Sequence, residues 1–151
     1  MNTVRRLSTI VLVILALPSQ ASAERDPLIG SWKAVDGDGT TSVIQVYLEE
    51  ESLSAKIAQL RDRNGKEINP ICTSCRGELK NQPVVGMRFI WGLRKQGTKW
   101  VAGKVVNLRP GLGQGIIASC ELERSGNQAK ILGRWGPFSG SDHWEPHAVS
   151  E

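Results

Sequence analysis

Beyond residue 28 the chain places apolar side chains at every second position, in short runs separated by turn residues. Ile44, Val46 and Leu48 share one face and Gln45 the other, which is the two-residue period of a strand with one buried side. Met87, Phe89, Trp91 and Leu93 alternate with Arg88 and Arg94 in the clearest such run. Val101, Gly103 and Val105 stand opposite Lys104, and Ile116, Ala118, Cys120 and Leu122 stand opposite Ser119, Glu121 and Glu123. Ala129, Ile131, Gly133 and Trp135 continue the pattern, Ile29 to Val35 opens it, and a last short strand holds Trp144. Asp36-Gly37-Asp38-Gly39, Asp62-Arg63-Asn64-Gly65, Gln96-Gly97 and Ser125-Gly126-Asn127 are turns between the runs, rich in residues that tolerate positive φ. Leu53 to Leu60 fits two templates: Leu53, Ile57 and Leu60 make a helical stripe, while Leu53, Ala55 and Ile57 against Ser54 and Lys56 make a strand.

About eight short strands and no clear helix after the first segment predict an all-β antiparallel barrel or sandwich. Closing the meander would remove its exposed edges. An eight-stranded barrel is just wide enough to fill with its own side chains or to hold one small ligand. Trp32, Trp91 and Trp135 are expected to point inward, where rings plug a barrel as readily as they line a pocket.

The first 23 residues have a different character. Arg5 and Arg6 precede an apolar run from Leu7 to Pro18, and Ala21-Ser22-Ala23 follows, the layout of a secretory signal cleaved after Ala23. The apolar run is 12 residues, short of the roughly 20 that span a membrane as a helix. A single domain over residues 24–151, periplasmic or secreted and without an integral membrane segment, is therefore expected. The formal charge of +4 includes the two arginines of that segment, and the remaining basic residues are scattered, so no nucleic-acid partner is expected.

Chemistry is sparse. Cys72, Cys75 and Cys120 in an exported chain imply one disulfide and one thiol. Loop-closure entropy favours a Cys75–Cys120 bridge, about 4 kcal/mol against about 2 for Cys72–Cys75. Cys120, however, sits on the apolar parity of its strand, where buried inert thiols are common, so Cys72–Cys75 is the expected pair and would pin the long connection from Gly65 to Val85. Redox use of Cys72-x-x-Cys75 would need a helix N-terminus to stabilise a thiolate, and no helical stripe follows. A zinc or copper site from Cys72, Cys75, His143 or His147 would need a second close pair, and Pro146 interrupts the histidine spacing, so no metal or other cofactor is expected. Gly111-x-Gly113-x-Gly115 lacks the lysine and following helix of a phosphate loop, and no Gly-x-Ser-x-Gly elbow is present, so no catalytic residue is assigned.

One stretch carries a resemblance. Cys72-x-x-Cys75-x-Gly77-x-Leu79-Lys80-x-x-Pro83-x-x-Gly86, then Ile90-Trp91-Gly92-Leu93 and Trp100-x-x-Gly103, is similar to the bacterial domain of unknown function 2147 family. Gly30-x-Trp32, Lys56-Ile57, Gly133-x-x-Gly136 and Trp144 fall in the same order. The resemblance implies a small exported envelope protein with a lipocalin-like eight-stranded barrel, and it favours a strand for residues 53–60. It brings no established activity. Two departures stand out: Asn107-Leu108-Arg109-Pro110 and Gly113-Gln114-Gly115 replace a Tyr-Asp-Pro and Gly-Lys turn, and Leu132 replaces an arginine. Gly30-x-Trp32 also resembles the opening of true lipocalins, where the tryptophan closes the barrel floor. The expected function is a non-catalytic binding module for a small apolar or amphipathic ligand, with Trp32, Phe89, Trp91, Ile116 and Trp135 as candidate contacts. The alternatives are an envelope interaction protein with a filled barrel, and thiol or metal handling through Cys72 and Cys75.

Overall fold

Eight antiparallel strands follow one another around a closed barrel in chain order, β1 pairing with β8 to complete the ring. They are β1 (Gly30–Val35), β2 (Thr41–Glu49), β3 (Ser52–Arg61), β4 (Arg88–Gln96), β5 (Lys99–Val106), β6 (Ile117–Ser125), β7 (Gln128–Trp135) and β8 (Phe138–Pro146). The computed structural model describes residues 25–148, so the expected signal segment and its cleavage site lie outside the described residues. Among the described residues no helix is long and apolar enough to cross a membrane. The expected closed antiparallel barrel of eight strands is the architecture found, and the tie over residues 53–60 resolves to strand.

The two ends of the barrel differ because their turns differ. At one end two-residue connections join β2 to β3, β4 to β5 and β6 to β7. Their first residues, Glu50, Gly97 and Gly126, have φ near +60°, the tight primed geometry that matches strand twist. At the other end lie three longer loops, residues 36–40, 62–87 and 107–116.

Bulges explain where simple alternation misplaces side chains. Val43 pairs with Gln59 but Ile44 pairs with Ile57, leaving Ala58 as an extra residue in β3. The slip returns Leu60 to the inside, and it is the source of the helix-like spacing of Leu53, Ile57 and Leu60. In β4 the register shifts twice against β3, so that Phe89 and Ile90 are both buried. Trp91, expected inward, is consequently only partly buried beside the core. In β5 a further shift between Trp100 and Gly103, with Ala102 at φ 59°, buries Trp100, Gly103 and Val106 in place of the expected Val101, Gly103 and Val105. Gly103 cannot be enlarged cheaply, because a Cβ there would stand 2.5 Å from Leu93 Cγ and 3.2 Å from Cys120 Sγ.

The tight-turn end is plugged. Leu28 is buried there, and the Trp32 indole donates from Nε1 to the Leu28 carbonyl at 2.9 Å. Arg124 lies 5.0 Å over the Trp32 ring and donates to the Pro27 carbonyl at 3.1 Å. Asp26 accepts from Leu28 N, Trp100 Nε1 and Lys95. Residues 26–32 therefore cross the barrel bottom as a stopper. This is the floor role that the resemblance of Gly30-x-Trp32 implied.

Candidate ligand cavity

Above that floor the barrel is not filled. A cavity of about 690 Å³ opens at the long-loop end, within the usual size range of small-molecule sites. The reason for the space lies in β7 and β8. Inward parity on these strands falls on Ala129, Ile131, Gly133 and Trp135, facing Trp144, Asp142, Gly140 and Phe138. Gly133 pairs with Gly140, so β7 and β8 carry no inward side chains at that level. A Cβ on Gly140 would meet nothing within 4 Å.

The depth of the cavity is apolar, with Ile44, Ile57, Phe89, Val106, Ile131 and Trp144 among its walls. Trp144 is 2% exposed and its ring sits 6.3 Å from that of Phe89, tilted by 52°. The rim is polar. Arg109, from the β5–β6 loop, donates from Nε to Asp36 at 2.7 Å and from Nη2 to Asp142 at 2.9 Å. Burial by itself would lower the Arg109 pKa, but the two carboxylates outweigh it and the guanidinium is held more firmly protonated than usual. Asp38 accepts from Thr40 N at 2.8 Å, and that backbone hydrogen bond holds its carboxyl below the ordinary carboxylate value. Trp135 and Phe138 form the lip, 52% and 66% exposed and stacked at 6.0 Å across the Gly136-Pro137 turn.

The 62–87 loop forms one side of the mouth. Ile68 N donates to Leu60 O and Gly86 N to Ile57 O, so both ends of the loop are fixed to β3. Within it, Cys72 N donates to Gln82 O, Asn81 N to Cys72 O and Val84 N to Pro70 O, making a small hairpin with a 3₁₀ turn at Gly77–Leu79. The Cys72–Cys75 disulfide is present and buried. Ile68, Pro70 and Val84 thereby face the cavity. The disulfide turn also touches the β5–β6 loop: a Cβ on Gly115, at φ +83°, would fall 2.2 Å from the Ser74 carbonyl oxygen. Cys120 is a buried thiol, and burial pushes its pKa up to about 12. Among the described residues no group of three or more His, Cys, Asp or Glu side chains is placed to hold a metal ion.

Of the expected contacts, Phe89, Ile116 and Trp135 line the cavity. Trp32 and Trp91 do not. Trp32 is occupied in the floor, and the β4 bulges turn Trp91 aside. Trp135 has inward parity but stands half exposed at the lip rather than within the core. Sequence reading missed Trp144, the Gly133–Gly140 pair and the Asp36–Arg109–Asp142 bridge. The first was legible from the parity it shares with Phe138, whereas the others require knowing which strands pair.

A family described as "Uncharacterized protein conserved in bacteria (DUF2147)" has a sequence model that matches residues 30–145, from the first residue of β1 to the penultimate residue of β8. The chain belongs to the DUF2147 family. Among solved structures, this DUF2147 chain is similar to a protein of the human pathogen Helicobacter pylori described as belonging to the lipocalin family. The TM-score is 0.65 at 16% identity, over 80% of this chain and 83% of that one, a likeness of fold alone. No curated protein matches the DUF2147 chain.

Proposed function

We propose that this protein is a non-catalytic binding module that holds a small apolar or amphipathic molecule inside the barrel. The observation that carries the reading is the apolar cavity of about 690 Å³ between a plugged floor and an open mouth. A protein whose barrel served only as a scaffold would gain stability by filling that space, because voids forfeit dispersion contacts. The lipocalin description of the Helicobacter pylori neighbour agrees with a ligand-holding barrel. We also propose that the module works outside the cytoplasm. The signal-like first 23 residues support this, and so does a buried disulfide, which persists in oxidising compartments.

Uptake of the uncharged dye N-phenyl-1-naphthylamine by lipid-stripped protein tests the binding reading. Saturable fluorescence enhancement is expected, and a Gly140→Phe variant, whose ring would enter the cavity, should lose it while keeping the melting temperature. A wild-type protein that takes up no dye, or a variant that takes up as much, would refute the proposal.

A further inference from the structure

We infer that the cavity selects an amphiphile with a cationic head, an alkylammonium or quaternary ammonium, over one ending in a carboxylate. The inference rests on the binding reading above and deepens it. The charged residues that line the cavity are Asp36, Asp38, Asp142 and Arg109, three carboxylates against one guanidinium. That guanidinium is already paired with two carboxylates, Nε donating to Asp36 and Nη2 to Asp142. A fatty-acid carboxylate that reached the remaining N–H groups of Arg109 would stand beside Asp36, Asp142 and Asp38, whose negative charges already outnumber the single guanidinium of the lining. Arg63, which packs against Gly39, is not part of the lining but its charge acts on Asp38, so the three carboxylates face two guanidinium groups and still outnumber them. The mouth is thus locally negative on a chain whose formal charge is +4.

A second feature of the mouth favours the same head. Trp135 and Phe138 present exposed, stacked rings at the lip of the cavity, continuous with its apolar wall. Aromatic faces attract quaternary ammonium groups through the ring quadrupole, and the attraction is strongest for groups that carry little hydration. An alkyl chain in the barrel would leave such a head among two rings and the carboxylates of Asp38 and Asp142, opposite in sign to it.

Competition against N-phenyl-1-naphthylamine distinguishes the possibilities, using dodecyltrimethylammonium, dodecanol and dodecanoate below their aggregation concentrations. The ammonium should displace the dye at a concentration about tenfold lower than dodecanol, and dodecanoate should be the weakest. Raising the salt concentration should narrow the ammonium-to-alcohol ratio. Asp38→Asn and Trp135→Ala should each narrow that ratio about threefold, read as a ratio so that any general loss of affinity cancels. Dodecanoate binding as tightly as the ammonium, or a ratio near one for ammonium and alcohol, overturns the head-group inference and leaves the binding module standing. Failure of all three to displace the dye, together with no dye uptake, overturns both.

Discussion

Asp26 shows how one side chain can hold the barrel floor. Burial would raise its pKa, but hydrogen bonds from Lys95, Leu28 N and Trp100 Nε1 outweigh that cost, and the carboxyl sits below its ordinary 3.8. A lowered folded-state pKa contributes stability that is complete above the unfolded value and is lost as the pH falls through the folded one. Asp26→Asn should therefore cost about 1 kcal/mol near neutrality. The difference in melting temperature from the parent should be constant down to about pH 5 and vanish in stronger acid. A difference that persists at low pH would show that shape, not charge, sets the contribution. Cys120 makes a complementary case: with its thiol pushed up to about 12 by burial, a maleimide at pH 8 should label it only after denaturant unfolds the protein. Labelling of the native protein within minutes would contradict its burial.

At the scale of elements, the informative contact is between the disulfide turn and the β5–β6 loop. The three alternating glycines of that loop resemble a phosphate cradle in sequence, yet at Gly115 the requirement is steric, a close approach to the Ser74 carbonyl combined with positive φ. Gly115→Ala should destabilise the protein by about 2 kcal/mol. It should also speed amide exchange in residues 70–85, a pattern that a purely local strain in the β5–β6 loop would not produce. Replacing Cys72 and Cys75 by serine should cost a similar amount, about 2 kcal/mol by loop entropy, with the same exchange signature. Denaturant midpoints and exchange profiles of the two variants would show whether they loosen one shared structure.

At the scale of the molecule, the ring of strands has a thin seam. β1 and β8 pair through Trp32–Pro146 and Lys33–Glu145, with His147 N donating to Ser31 O beside them, all close to the floor. Towards the mouth the seam is bridged by Arg109, which reaches Asp36 just beyond β1 and Asp142 on β8. These are exposed pairs, so Arg109→Ala should cost no more than about 1 kcal/mol globally. Its larger effect should be local, with faster exchange at residues 34–36 and 141–143 than elsewhere in the barrel. Uniform exchange across all strands in that variant would show the seam closed by β1 and β8 themselves.

What the residues determined by themselves was the wall: alternation of period two, punctuated by turn glycines, admits little besides an antiparallel meander, and sulfur spacing with the parity of Cys120 was enough to pair Cys72 with Cys75. Those are local properties, fixed by which neighbours a residue has in the chain. The tertiary structure decided what the wall encloses. A bulge exchanges inside for outside without a mark in the composition, so Trp91 left the lining and Leu60 joined it. The empty space depends on Gly133 meeting Gly140, and the acidic mouth on residues 36, 109 and 142 arriving at one place. Such meetings depend on strand register and barrel closure, which bring together side chains far apart in sequence.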